Sequence, residues 1–181
     1  MKRVLSTALL LGAIAAAPAF AALKAGDKAP DFTAQATLGG REFTFTLAEA
    51  LRKGPVVLYF FPKAFTKGCT AEAHEFAEAA AQFEAAGATL IGMSADDIGT
   101  LHKFSTQECS SKFPVASDPN LTVIKAFDSV MVSTSATALN LSDRISYVIG
   151  QDGKVVYAYA DRNPDKHVAN TLTAVKALTK R

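Results

Sequence analysis

Two cysteines are the residues of this sequence best suited to chemistry, and they lie 40 positions apart, at Cys69 and Cys109. A cysteine thiolate is a strong nucleophile, and two thiols together support reversible disulfide chemistry. The simplest interpretation is a structural disulfide, which is common in small exported proteins that lack a large core. This chain is 49% hydrophobic and long enough to bury a core without such a bond. The local setting of each cysteine therefore decides between structure and chemistry.

Cys69 is predicted to lie where a strand passes into a helix. The apolar run 55–61 begins at a Gly-Pro break and is typical of a strand buried on both faces. The Ala- and Glu-rich stretch 68–86 predicts a helix with Cys69 in its first turn. Unpaired backbone N–H groups and the positive end of the helix dipole favour a thiolate there. The location thus favours a reactive cysteine over one that fills core space.

The residues before Cys69 sharpen this interpretation. Pro62, Thr66 and Cys69 form the spacing Pro-x-x-x-Thr-x-x-Cys. The chain thereby resembles the peroxiredoxins, and in particular their peroxiredoxin Q or bacterioferritin-comigratory branch. The resemblance extends over nearly the whole chain after residue 21, through four further segments: 26–32, 59–62, 117–118 and 143–149. It implies a thioredoxin-like fold and a thiol-dependent peroxidase that reduces hydrogen peroxide and organic hydroperoxides.

The resemblance also implies a role for each motif residue and for Arg144. Cys69 attacks a peroxide oxygen and becomes a sulfenic acid, while Thr66 hydrogen-bonds the peroxide and aligns its O–O bond. Arg144 supplies a positive charge that stabilises the thiolate and the leaving oxygen, and Pro62 covers the sulfur. Each also has an ordinary structural explanation. Thr66 is a possible turn or cap residue, Arg144 a strand-edge charge and Pro62 a strand terminator.

Cys109 is the expected resolving partner of Cys69. In one pattern of this branch the second cysteine follows five residues after the first, and here that position is His74. Other members carry it on the helix after the next strand, and Cys109 lies near the end of the predicted helix 97–108. The resemblance therefore implies a Cys69–Cys109 disulfide that a thioredoxin-like dithiol donor reduces, and the weakly helical stretch 105–111 permits the unwinding this requires. If Cys109 is inert, an external thiol resolves Cys69 instead.

Two other functions compete with a peroxidase. A thioredoxin-type thiol–disulfide oxidoreductase shares the expected fold but works through Cys-x-x-Cys, which this sequence lacks. A non-catalytic binding module with a structural disulfide leaves the spacing of Thr66 and Cys69 without a reason. The three histidines, His74, His102 and His167, lack the spacing of metal ligands, so we expect no metal and no cofactor.

The elements that must position these residues follow from hydrophobic pattern and turn signals. Paired glycines within 31–45 predict a β-hairpin, and Thr46 with Glu49 has the spacing of a capping box that starts a short helix. Strand 88–94 follows the helix of Cys69, which implies a parallel crossover. The remaining predicted elements are helix 97–108, a short strand at 113–116, a short helix at 122–127, a hairpin of 144–149 and 154–159, and a final helix from Asn163 to about Lys180. This order predicts an α/β fold with a mixed sheet.

The first 21 residues have the features of a secretory signal. Residues 1–3 are positively charged, the run 4–17 is apolar, and Ala19 and Ala21 form an Ala-x-Ala cleavage pattern. The apolar run is too short for a comfortable transmembrane helix of ~20 residues. We therefore expect residues 22–181 to be a single domain of 160 residues that is periplasmic or secreted, soluble and monomeric.

The charge of the predicted mature chain limits its partners. Without the signal, 17 basic residues face 17 acidic ones. Binding to nucleic acid or to anionic lipid depends on clustered Lys and Arg, so we expect neither nucleic-acid binding nor stable membrane insertion. The expected partners are a peroxide substrate and a dithiol reductant.

Overall fold

The computed structural model describes residues 22–132 and 140–178. The predicted signal, 1–21, and the predicted end of the final helix near Lys180 lie outside the described residues. None of the described helices is long and apolar enough to cross a membrane.

Strands and helices follow one another much as the sequence predicts. The strands are β1 (Thr33–Leu38), β2 (Arg41–Thr46), β3 (Val56–Phe60), β4 (Thr89–Ser94), β5 (Val115–Ser117), β6 (Ile145–Ile149) and β7 (Val155–Ala160). The helices are α1 (Leu47–Leu51), α2 (Lys67–Ala85), α3 (Ile98–Gln107), α4 (Thr122–Ala126) and α5 (His167–Leu178). A 3-10 turn, Pro164–Lys166, leads into α5, and the Asn163 side chain caps it by accepting from the Asp165 N–H group.

The described strands form one mixed sheet in the order β2-β1-β5-β4-β3-β6-β7. β3 is parallel to β4, as the crossover through α2 requires, and antiparallel to β6. All five residues of β3 are buried, because the strand has a neighbour at each edge and helices over each face. The predictions of a mixed sheet and of a doubly buried central strand are confirmed.

Alternate side chains of β3 enter two different cores. Val56, Leu58 and Phe60 join the core under α1 and α4, while Val57 and Tyr59 join the core under α2, α3 and α5. Full burial of such apolar side chains contributes roughly 1.5–3 kcal/mol each. The second core also contains both cysteines. The sheet therefore places the two sulfurs on the same side of the molecule.

The N-terminal hairpin forms as predicted, but the predicted cap at the start of α1 does not. Gly39 and Gly40 make the turn with positive φ angles of 56° and 80°, which glycine adopts without strain. The prediction of a capping box is wrong, because the Thr46 side chain makes no cap hydrogen bond. The Asp31 carboxylate accepts one from the Ala48 N–H group instead, at 3.1 Å. A residue from before β1 thus replaces the local cap.

Candidate active site around Cys69

Cys69 is the third residue of α2, in the first helical turn where the sequence places it. It follows a loop that leaves the carboxyl end of β3 and is tied down at two points. The Asp96 carboxylate accepts from the Ala64 N–H group at 2.8 Å, and the Ser142 hydroxyl donates to the Phe61 carbonyl at 2.6 Å. The Cys69 side chain is only 1% exposed. The sulfur is thus held at a fixed position beneath this loop.

Arg144 is the charged group that reaches the sulfur. Its Nη2 atom donates to Cys69 Sγ across 3.5 Å. The antiparallel pairing of Phe60 with Ile145 explains the contact, because it brings the residue before β6 to the carboxyl end of β3. Arg144 is itself buried, so its charge acts in a medium of low dielectric constant. The structure thus places the guanidinium of Arg144 in contact with the sulfur of Cys69.

The other nitrogens of Arg144 are held by two further groups. Its Nε atom donates to the carbonyl of Arg162 at 3.0 Å, and its Nη1 atom pairs with Glu72 Oε2. Burial acts to lower the pKa of Arg144, but Glu72 and Cys69 outweigh burial and the pKa is raised. Arg144 therefore stays positively charged beside the sulfur.

Glu72 is a fully buried carboxylate that the sequence analysis did not single out. Burial raises its pKa to about 8, even though Arg144 pulls in the opposite direction. Its Oε1 atom has no hydrogen-bond partner among the described residues and lies 3.7 Å from Nδ1 of His167. When it is ionised, this buried acid competes with the thiolate of Cys69 for the charge of Arg144.

His167 is also fully buried and completes the polar group behind Arg144. Its Nε2 atom lies 2.9 Å from the carbonyl oxygen of Asp161, and its Nδ1 atom lies 2.8 Å from Ser146 Oγ. A carbonyl only accepts, so Nε2 carries the hydrogen and Nδ1 accepts from the serine hydroxyl. Burial, with the charge of Arg144 as a smaller cause, lowers the pKa of His167, which favours this neutral form.

Thr66 and Pro62 lie in the loop before Cys69. Thr66 is exposed, its hydroxyl donates to the Lys63 carbonyl at 2.9 Å, and its oxygen accepts no hydrogen bond from the first N–H groups of α2. Pro62 is half-buried. Phe65 is 43% exposed with a φ of 61°, and its ring meets that of Phe104 edge-on at 5.3 Å. The loop thus presents a hydroxyl oxygen and an aromatic edge near the start of α2.

Gly68 makes room for the Arg144 contact. A Cβ atom at this position would lie 3.2 Å from Arg144 Nη2, the nitrogen that reaches the sulfur. Such a contact is tight, so any larger residue forces the guanidinium to move. Nothing in the local sequence distinguishes this glycine from an ordinary loop glycine.

Cys109 has a different environment at the far end of α3. It is fully buried in the apolar core that also contains Cys69. Burial, helped by the negative charge of Glu108, raises the pKa of Cys109 well above its usual range. Glu108 in turn pairs with Nε2 of His74, at 2.8 Å. Both cysteines are free thiols.

A buried thiol at a helix N-terminus with an arginine on its sulfur, and a second thiol in the same core, defines a thiol-dependent redox enzyme. The model of the AhpC/TSA family matches residues 25–158. The chain belongs to the AhpC/TSA family.

Known relatives narrow the class further. The chain is 33% identical over 154 residues to a putative chloroplastic peroxiredoxin Q of Oryza sativa subsp. indica, covering 84% of this chain and 67% of that protein. It is 30% identical over 126 residues to peroxiredoxin Bcp of Xanthomonas campestris, covering 69% of this chain and 78% of that protein. The crystal structure of peroxidoxin BcpB from Mycobacterium tuberculosis superposes with a TM-score of 0.76 at 30% identity, over 86% of this chain and 98% of that one. The chain is therefore a thiol-dependent peroxidase with a thioredoxin-like fold, as the sequence analysis predicts.

Proposed function

We propose that this peroxidase reduces hydrogen peroxide and organic hydroperoxides at Cys69, that Cys109 resolves the oxidised sulfur, and that a thioredoxin-like dithiol restores both thiols. The observation that carries the proposal is the contact of Arg144 Nη2 with Cys69 Sγ, at 3.5 Å in a buried first turn of α2. A permanent charge and a helix N-terminus at one sulfur both favour the nucleophilic thiolate.

In the first step the Cys69 thiolate attacks one oxygen of the peroxide and the O–O bond breaks. The sulfur becomes a sulfenic acid, and the departing oxygen takes up a proton to leave as water or as an alcohol. Arg144 stabilises the negative charge that moves from sulfur to the departing oxygen. The Thr66 hydroxyl hydrogen is directed at Lys63, so its oxygen is left to accept the hydrogen of the peroxide. Pro62 contributes to the cover over the sulfur.

In the second step the Cys109 thiol attacks the sulfenic sulfur of Cys69, forming a disulfide and releasing water. A buried thiol with a raised pKa is a weak nucleophile, so the end of α3 must first unwind. Ser110 and Ser111 follow Cys109 with φ angles of 49° and 55°, and two adjacent left-handed residues without glycine store strain. That strain lowers the cost of unwinding.

In the third step a dithiol donor exchanges with the Cys69–Cys109 disulfide and is itself oxidised to a disulfide. The donor belongs to the compartment in which the protein resides. We place the mature chain, 22–181, in the periplasm or outside the cell as a monomer, on the strength of the signal-like pattern in 1–21. The donor is then an exported thioredoxin-like protein.

The test is peroxide consumption by the mature chain with a dithiol reductant, comparing Cys69→Ser with Cys109→Ser. We expect Cys69→Ser to abolish turnover. Cys109→Ser should lose turnover with a thioredoxin-like donor and regain it with a small thiol such as dithiothreitol. Peroxidase activity retained in Cys69→Ser contradicts the proposal. Mass spectrometry of the peroxide-treated protein checks the second step, which is wrong if no Cys69–Cys109 disulfide forms.

A further inference from the structure

The two groups that hold Arg144 in place both lead back to one histidine. Arg144 Nη1 pairs with Glu72, and Arg144 Nε donates to the carbonyl of Arg162. The free oxygen of Glu72 lies 3.7 Å from Nδ1 of His167. The carbonyl of Asp161, directly before Arg162, accepts from Nε2 of the same ring at 2.9 Å. His167 therefore lies behind both restraints on the guanidinium.

The ring of His167 is itself fixed. Its Nδ1 atom accepts from Ser146, two residues after Arg144 on β6, and its ring packs edge to face with that of Tyr159, with the ring centroids 4.8 Å apart. Four titratable groups of the described residues face the ring. They are Glu72 on α2, Arg144 directly before β6, Tyr159 on β7 and Asp161 directly after β7. The ring thus ties α5 to β6 and to the loop after β7, and it lies beside Glu72 of α2.

We propose that His167 is a positioning residue for the peroxidase, which holds the guanidinium of Arg144 on the sulfur of Cys69 by fixing the loop of Asp161 and Arg162, while its ring packs beside Glu72. The inference rests on the proposed function of Cys69 and Arg144. His167 does not touch the sulfur. Its effect reaches Cys69 only through the direction in which Arg144 points.

Loss of His167 has a defined chemical consequence. Without the ring, the carbonyl of Arg162 loses its fixed position and Glu72 loses a packing neighbour, so Arg144 no longer has a single orientation. The thiolate of Cys69 then forms at higher pH and reacts more slowly with peroxide. Loss of a residue that only fills core space would lower thermal stability and leave the pH of thiolate formation and the peroxide rate unchanged.

The experiment uses the mature chain with Cys109→Ser as the parent, so that Cys69 is the only thiol. His167→Phe keeps a ring and removes both nitrogens. His167→Asn retains a polar group near the position of Nδ1, and His167→Gln retains one near Nε2. His102→Phe, a change at an exposed histidine of α3, is the matched control.

Three quantities are measured for each variant: the pH midpoint of thiolate formation from ultraviolet absorbance, the rate of oxidation by hydrogen peroxide, and the thermal midpoint. For His167→Phe we expect the thiolate midpoint to rise by about one pH unit, which is a tenfold change in the thiolate equilibrium. The peroxide rate at neutral pH should also fall by about tenfold, because a misdirected guanidinium no longer stabilises the charge on the departing oxygen. His167→Asn and His167→Gln should each recover part of the change in the thiolate midpoint and in the peroxide rate. The control, His102→Phe, should match the parent in both quantities.

Unchanged thiolate midpoints and peroxide rates in all three His167 variants overturn the inference, whatever their thermal midpoints. If His167→Phe does not fold, His167→Asn and His167→Gln carry the same test, and parent values in both overturn it. A parent that shows no thiolate and no reaction with peroxide contradicts the proposed function of Cys69 instead. The two failures are therefore distinguishable.

Discussion

The two cysteines are equally buried, yet their surroundings oppose each other. Cys69 begins a helix and receives the guanidinium of Arg144 at 3.5 Å. Cys109 follows the end of α3, in an apolar core with the carboxylate of Glu108 as its charged neighbour. One setting supports a negative sulfur and the other opposes it. Burial alone thus does not distinguish the two thiols, whereas the sign of the nearby charge does.

Removal of the charge at Cys69 should have the largest effect. We expect Arg144→Met to lower the rate constant for hydrogen peroxide by about 10²–10³-fold, as loss of a donor to developing negative charge does in other enzymes. Arg144→Lys keeps the charge but loses the planar fork of the guanidinium, so its rate constant should lie between those of wild type and Arg144→Met. Stopped-flow oxidation of the reduced protein measures both. An unchanged rate in Arg144→Met contradicts the assigned role.

Glu72 should make stability depend on pH. Its pKa is about 8 in the folded protein against an ordinary 4.5, so between these values the folded state binds a proton that the unfolded state does not. This contribution to stability is complete below pH 4.5, falls as pH rises, and is lost above about pH 8. The lowered pKa of His167 acts in the opposite direction as pH falls, so the comparison must be with Glu72→Gln at each pH.

The unfolding free energy of the wild-type chain relative to Glu72→Gln should therefore decrease from pH 4.5 to about 8, by at most about 1.4 kcal/mol per pH unit. Urea titrations across this range measure the difference, and Glu78→Gln on the exposed face of α2 is the control. A constant difference between wild type and Glu72→Gln shows that Glu72 is ionised throughout.

The strained turn after Cys109 should control how fast that thiol becomes available. Ser110→Gly with Ser111→Gly removes the left-handed strain, and we expect net stabilisation of the folded turn by about 1 kcal/mol after the entropy cost of glycine. Disulfide formation after oxidation should then slow by about fivefold. Rapid quenching and mass spectrometry follow the reaction. Alanine at both positions keeps the strain and is the control, and a faster reaction in the glycine variant refutes the role of strain.

The smallest effect should come from Gly68. The added methyl group of Gly68→Ala lies 3.2 Å from Arg144 Nη2 and moves the guanidinium slightly away from the sulfur. We expect the peroxide rate to fall by about two- to threefold, because a charged hydrogen bond weakens as it lengthens. Gly99→Ala, with an equally tight 3.2 Å contact to Asp97 at the start of α3, is the control. Equal peroxide rates in wild type, Gly68→Ala and Gly99→Ala would show that the guanidinium of Arg144 accommodates the added methyl group without losing its contact with the sulfur.

Local pattern was sufficient to predict the fold and the position of Cys69. A fully apolar strand followed by an amphipathic helix is a signal contained within residues 55–86, and the parallel crossover follows from it. The same reasoning placed Cys109 at the end of α3. It treated the stretch 105–111 as uniformly weak, whereas Ser105 is buried and accepts from the Gly39 N–H group at 2.9 Å. The strain lies further on, at Ser110 and Ser111.

The polar residues behind the sulfur could not be predicted in this way. Glu72 looks like any glutamate of an Ala- and Glu-rich helix, and its partner Arg144 is 72 residues away. One signal was present, since a residue three positions after Cys69 shares its helical face. His167 and Asp96 offer no such signal, because their contacts depend on how distant strands and loops meet. The tertiary fold, not the local sequence, assembles this part of the site.

The most direct test of the difference between the two sulfurs is to find which one is oxidised first. The reduced wild-type chain is mixed with an equimolar amount of hydrogen peroxide in the presence of excess dimedone, which traps sulfenic acids. Trypsin separates the two cysteines into different peptides, and mass spectrometry locates the adduct. We expect the adduct on Cys69 and none on Cys109. An adduct on Cys109, or equal labelling of both, contradicts the assignment of Cys69 as the peroxide-reactive thiol.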